Sequence, residues 1–261
     1  MVSPAGHSAE QAYDRRFLLG NKRNELLALR EVQQYGLDSF DDPDYVSIYG
    51  YKPHEWHALG VRILGRTAVE CTPDQLGSLI GQDVAAVTRA AGAASPMVID
   101  LFAGSGNTLH WIKQHTGARR AIGYELDAEV FELTRKNLSL VSLDVELRHD
   151  NYQHGLQMLG SPADDLLILF VAPPWGGALR EGLGLDLRRT EPPVTEVIDV
   201  TTSIFSNHKL LFAAQVYETV EPGSLAELTA RFPWSAIKVY DINAPGLNHG
   251  VLLATWGWTV T

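Results

Sequence analysis

From residue 96 onward, short apolar runs bounded by turn residues alternate with segments of helical spacing, which leaves the chain few folds. The runs are PMVIDLF, RRAIGYEL, VELRH, DLLILFVA and KLLFAAQV, and SGNTLHWIKQH, AEVFELTRKNLSLV and SLAELTARF sit between or after them. Apolar strands joined through helices imply a parallel sheet covered on both faces, an α/β, doubly wound, Rossmann-like architecture. Two last runs, WSAIKVYDI and HGVLLATWGW, are separated by little more than NAPGLN. That spacing predicts a terminal hairpin, hence one antiparallel strand at the end of the sheet.

Residues 1–95 read differently. AEQAYDRRFLLGNKRNELLALREVQQY carries Leu18, Leu19, Leu26, Leu27 and Leu29 at helical spacing, and TPDQLGSLIGQDVAAVTRAA opens with Thr72 as N-cap and Pro73 at the first helical position. Between them lies YGLDSFDDPDYVSIYGYKPHEWH, rich in aromatics. It is either a loop packed on the domain beneath or a lid in which Tyr45, Tyr49 and Tyr51 close a pocket. The expected organisation is a helical extension with an aromatic lid (1–95) and a ligand-binding α/β domain (96–261).

The 261 residues suit one large domain, or a domain with an extension. The single cysteine, Cys71, excludes an intrachain disulfide framework and a cysteine-rich zinc site, and fits a reducing compartment. The N-terminal stretch has no apolar signal core and no apolar run is long enough to span a bilayer, so a cytoplasmic protein without membrane contact is expected. A net charge of -10 repels a polyanion over most of the surface and disfavours nucleic acid as partner. His110, His115, His149 and His154 lack metal-ligand spacing, so no metal is expected.

The chemistry concentrates in Val98-Ile99-Asp100-Leu101-Phe102-Ala103-Gly104-Ser105-Gly106-Asn107, a buried strand running into a Gly-Ser-Gly turn and a helix. Glycines there let the backbone pass close beneath a ligand. Glu125 follows Gly104 by 21 residues at the end of the next strand, where a carboxylate accepts hydrogen bonds from ribose hydroxyls. Asp150 and Asn151 follow the third strand, where either side chain can read an adenine amino group. The third glycine of the dinucleotide fingerprint is missing.

D-L-F-A-G-S-G-N, Y-E-L-D, H-D-N and A-P-P-W-G-G together resemble the class I methyltransferases that use S-adenosylmethionine (SAM). The resemblance implies a seven-stranded sheet with its last strand antiparallel, and SAM held by Asp100, Phe102, Gly104, Gly106, Asn107, Glu125, Asp150 and Asn151. Ala172-Pro173-Pro174-Trp175-Gly176-Gly177 resembles the motif of amino-methylating relatives, and is closest to that of trimethylguanosine synthases. It departs from them at Ala172, which has no polar atom to orient an incoming amine. Trp175 can lie against a base or a sulfonium. After it, a loop of 18 to 20 residues holds Arg180, Arg188 and Arg189, offset by Glu181, Asp186 and Glu191. Thr201, Thr202 and Ser203, and Asn243, Asn248 and His249 in the last hairpin, are further polar candidates.

SAM has three electrophilic carbons beside its sulfonium, so methyl transfer is one outcome among several. Azetidine-2-carboxylate synthases are similar to methyltransferases in fold and close SAM's own amine onto its γ carbon, releasing methylthioadenosine. The departure at Ala172, the aromatic extension and the acidic chain together favour that reaction in small-molecule specialised metabolism. Ala172, Pro173, Trp175 and Ser203 are its expected catalytic group, with a carbonyl near Ala172 or the Ser203 hydroxyl taking the proton. N-methylation of a small-molecule amine, RNA cap-like guanine methylation and SAM binding without catalysis are the alternatives.

Overall fold

The computed structural model describes residues 13–260. The chain opens with short helices, α1 (Arg15–Gly20), α2 (Leu29–Phe40), α3 (Pro53–Ala58) and α4 (Gly65–Glu70), and then the longer α5 (Asp74–Ala90). β1 (Pro96–Asp100), α6 (Asn107–Thr116), β2 (Arg120–Glu125), α7 (Ala128–Leu140), β3 (Glu146–His149), α8 (Tyr152–Leu159) and β4 (Leu166–Val171) alternate after it. A small hairpin of β5 (Leu179–Arg180) and β6 (Gly184–Leu185) precedes α9 (Val194–Ile204), β7 (Leu210–Tyr217), α10 (Pro222–Thr229), β8 (Trp234–Tyr240) and β9 (His249–Trp256).

The main sheet has seven strands in the order β3-β2-β1-β4-β7-β9-β8. β1 pairs parallel with β2 and β4, and β4 pairs parallel with β7. The chain therefore winds outward in both directions from β1 and β4, and a crevice opens beyond their carboxyl ends. β9 runs antiparallel to β7 and β8. The expected reversed strand is thus present, but it lies second from the edge, and β8 takes the edge. Burial explains the order: Val251, Leu252, Leu253 and Ala254 of β9 are all buried, whereas Ile237 and Val239 of β8 are exposed.

One face of the sheet packs Met97, Ile99, Leu167, Leu169 and Phe212 against Leu156 of α8, Val197 and Ile198 of α9 and Leu228 of α10. The other packs Val98, Ile168, Phe170 and Leu211 against Ile80 and Val84 of α5 and Leu109 and Ile112 of α6. α5 is therefore a layer of the sheet domain, inside the span the sequence assigns to the extension. It also starts one residue late: Pro73 is the N-cap, and the Thr72 hydroxyl donates to Gln215 Oε1 at 2.9 Å instead of capping.

The extension has its own core of Leu18, Leu27, Val32, Tyr35, Val46, Ile48, Trp56 and Ile63, which closes against Leu138 of α7 and Leu147 of β3. The continuous N-terminal helix expected from leucine spacing is broken between Gly20 and Ala28, and its start lies outside the described residues. The break has a cause in long-range pairing: Leu27 N–H donates to Ile63 O at 3.0 Å, which pulls the chain out of helical geometry. No helix among the described residues is long and apolar enough to cross a membrane.

Candidate active site

The turn after β1 is built for close approach. Gly104 (φ 51°) and Gly106 (φ 71°) occupy the left-handed region that side chains disfavour. A Cβ placed on Gly104 would meet nothing within 4 Å, so the turn looks onto open space. Glu125 at the end of β2 holds the turn: Oε2 accepts from Gly104 N–H at 2.9 Å and Oε1 from Asp127 N–H at 2.8 Å. Each oxygen keeps a lone pair for a further donor. Burial raises the Glu125 pKa against those two hydrogen bonds. Asp100, 1% exposed, accepts from Phe102 N–H at 3.1 Å through Oδ1, and burial pushes its carboxyl up to about 7. These groups fit a nucleoside whose ribose hydroxyls donate to Glu125.

Other predicted residues stand near this edge in altered roles. Asn107 is fully buried and spends its side chain on the extension: Oδ1 accepts from Tyr49 N–H at 2.7 Å, and Nδ2 donates to Thr72 O at 2.8 Å. Asn151 caps α8 by accepting from His154 N–H at 3.0 Å. Asp150 pairs with His154 Nδ1 at 2.6 Å, and that hydrogen bond lowers its pKa. The Phe102 ring lies 5.3 Å from that of Tyr152, half-buried at the crevice.

A second wall follows β4. Pro173 is buried, Ala172 and Trp175 are half-buried, and Trp175 O accepts from Ala178 N–H at 2.8 Å to close a short 3-10 turn over Gly176–Ala178. The Trp175 ring lies 5.1 Å from His249 and 6.3 Å from Tyr217, which face each other across β7 and β9. His249 Nδ1 lies 3.2 Å from Gln215 Nε2. Solvent touches His249, yet desolvation and the charge of Arg15 bring its pKa down to about 4.

The long loop after Trp175 contains the β5-β6 hairpin, and its arginines do not converge on a ligand. Arg188 pairs with buried Asp186 at 2.8 Å and with Glu221 at 2.8 Å, and Arg180 lies 3.7 Å from Asp186. Ser203 is misplaced by the sequence reading. It is exposed in the last turn of α9, which runs back to the amino end of β7, so it belongs to the opposite edge of the sheet from Trp175.

The extension forms the third wall, and its tyrosines are not one lid. Tyr49 is buried with φ at 61°, fixed by its N–H on Asn107 and by its hydroxyl donating to Ser105 O. Tyr45 stacks on Phe40 at 3.4 Å. Tyr51 is exposed in a tight turn with Ile48. Glu70, not singled out in the sequence, lies within reach of Glu125's charge, and desolvation raises its pKa although its side chain is exposed; desolvation pushes the Cys71 thiol up to about 12 although solvent reaches it. Gln215 carried the one available signal, a polar residue inside the apolar run LLFAAQV. Among the described residues, no group of three or more His, Cys, Asp and Glu is placed to hold a metal ion.

No protein-family model matches the sequence, and no curated protein does. Solved structures do. The METTL16 MTase domain matches at 15% identity with a TM-score of 0.50, covering 74% of this chain and 72% of that one. Cofactor-bound Rv0187 from MTB matches at 14% identity and a TM-score of 0.49, covering 79% of this chain and 90% of that one. An rRNA methylase from Streptococcus thermophilus matches at 14% identity and a TM-score of 0.41, over 67% and 94%. Identities this low speak for architecture alone. With its seven-stranded sheet, helices on both faces and antiparallel β9, the chain has the class I methyltransferase fold.

Proposed function

We propose that this protein is a SAM-dependent enzyme that cyclises SAM to azetidine-2-carboxylate with release of methylthioadenosine. The nucleoside lies along the carboxyl edge, its ribose on Glu125 and its adenine toward Phe102 and Asp150. The reacting end reaches the wall of Trp175, Tyr217 and His249. The observation that carries the choice of reaction is Ala172: where amino-methylating relatives place a polar side chain, this cleft has a methyl group between β4 and a buried proline. A second substrate's amine finds no side-chain acceptor there, whereas an amine already tethered to the sulfonium needs only the right conformer.

In the reaction, SAM's amine first gives up a proton. Its lone pair then forms the N–Cγ bond while the C–S pair departs on sulfur, and the ring nitrogen carries the positive charge. The products are methylthioadenosine, the zwitterionic amino acid and one proton, so charge balances. The protein contributes orientation and an aromatic wall for the sulfonium, an attraction of about 0.5 to 2 kcal/mol.

Purified protein incubated with SAM alone, followed by mass spectrometry, tests this. Methylthioadenosine and azetidine-2-carboxylate are expected without an added acceptor. Intact SAM, with S-adenosylhomocysteine formed only when a cell extract supplies an acceptor, replaces cyclisation by methyl transfer to a second molecule.

A further inference from the structure

His249 stands at the head of a directional hydrogen-bond chain. Thr72, 5% exposed, donates its hydroxyl proton to Gln215 Oε1 at 2.9 Å, which turns the Gln215 amide nitrogen toward His249 Nδ1 at 3.2 Å. The reverse orientation of that amide would leave the Thr72 hydroxyl proton buried without an acceptor among the described residues, a costly arrangement. Nδ1 therefore accepts, and in the neutral ring the proton sits on Nε2. Nε2 has no hydrogen-bond partner among the described residues and is not a buried orphan, so it opens to the solvent-reached space beside Trp175.

From this we infer that His249 is a neutral hydrogen-bond donor, not a base, and that its Nε2–H recognises an acceptor oxygen on the reacting end of the substrate. The inference rests on the reading of the cleft as a SAM site. The oxygen has two sources of one chemistry: the carboxylate of SAM's own methionine part, or a carbonyl or carboxylate on a second molecule. Thr72 and Gln215 are positioning residues that fix the ring. They also tie the donor to the segment leading into α5, so the extension and the last hairpin share one site. The depressed His249 pKa agrees with a ring that stays neutral at physiological pH.

The test compares wild type, His249→Gln and His249→Phe. Glutamine keeps a donor near Nε2 but no base, and phenylalanine keeps only ring packing. Nitrogen-15 NMR of the full chain should show His249 as the Nε2–H tautomer; an Nδ1–H tautomer overturns the inference. Calorimetry with S-adenosylhomocysteine, which carries the same carboxylate and cannot react, reads binding. The expected result is glutamine within about threefold of wild type and phenylalanine about tenfold or more weaker. If all three bind equally, the oxygen belongs to a second molecule, and KM for that molecule separates Phe from Gln. Phenylalanine matching glutamine in binding and turnover reduces His249 to packing. Glutamine as slow as phenylalanine with binding unchanged makes it a base, and either result overturns the donor role. A wild type that binds S-adenosylhomocysteine but makes no product from SAM alone refutes cyclisation, while the tautomer and binding arms still decide His249.

Discussion

At the scale of single residues, Glu125 bears two loads at once. It accepts from Gly104 and Asp127 N–H and keeps lone pairs for further donors. Glu125→Ala should weaken SAM binding more than tenfold, since donors that relied on a carboxylate lose roughly 1.5 to 3 kcal/mol each. Unchanged affinity by calorimetry would remove the ribose from this position. The spacing of Gly104, Gly106 and Glu125 was legible in the sequence because strand, tight turn and strand lie next to each other in the chain. Ser203 was not legible: knowing that a residue is helical does not say which end of the sheet that part of the helix reaches. His249 stood out only as a polar residue, because its place beside Trp175 depends on β9 inserting next to β7.

Among elements, the join between extension and sheet is polar as well as apolar: Arg66 pairs with Asp127, and the Asn137 amide bonds the Arg62 backbone. Asn107 links the Tyr49 N–H and the Thr72 carbonyl to the first residue of α6 with no solvent access. Asn107→Ala strands a buried donor and a buried acceptor, and should cost about 2 to 4 kcal/mol. Urea unfolding followed by circular dichroism measures it, and a loss below about 0.5 kcal/mol would show that water replaces the amide. The main strands were readable from apolar runs with flanking breakers. The extension's helices were less so, because leucine spacing continues through a break imposed by Ile63, 36 residues away from Leu27. The β5-β6 hairpin, two residues per strand, is too short for periodicity to register.

For the whole molecule, two desolvated groups, buried Asp100 and half-buried His249, pull stability in opposite directions with pH. Folded Asp100, pushed up to about 7, binds a proton that the unfolded chain releases near 4, so its contribution falls as pH rises from about 4 to 7. His249, held down to about 4, stays neutral when the unfolded chain's histidine is already charged, so its contribution falls as pH drops from about 6.5 to 4. Relative to wild type, Asp100→Asn should therefore gain stability toward pH 7, and His249→Gln should gain it toward pH 4. Thermal melts across that range check both signs; parallel curves for either variant would contradict the desolvated environment assigned to that group. The extension's core carries a consequence for biosynthesis. Leu18, Val32 and Trp56 share a core with Leu138 and Leu147, so residues made early are fully covered only by residues made much later. Until β3 has emerged, those apolar residues wait without part of their partner surface, and the nascent chain's demand for chaperone protection lasts until Leu147 has been made.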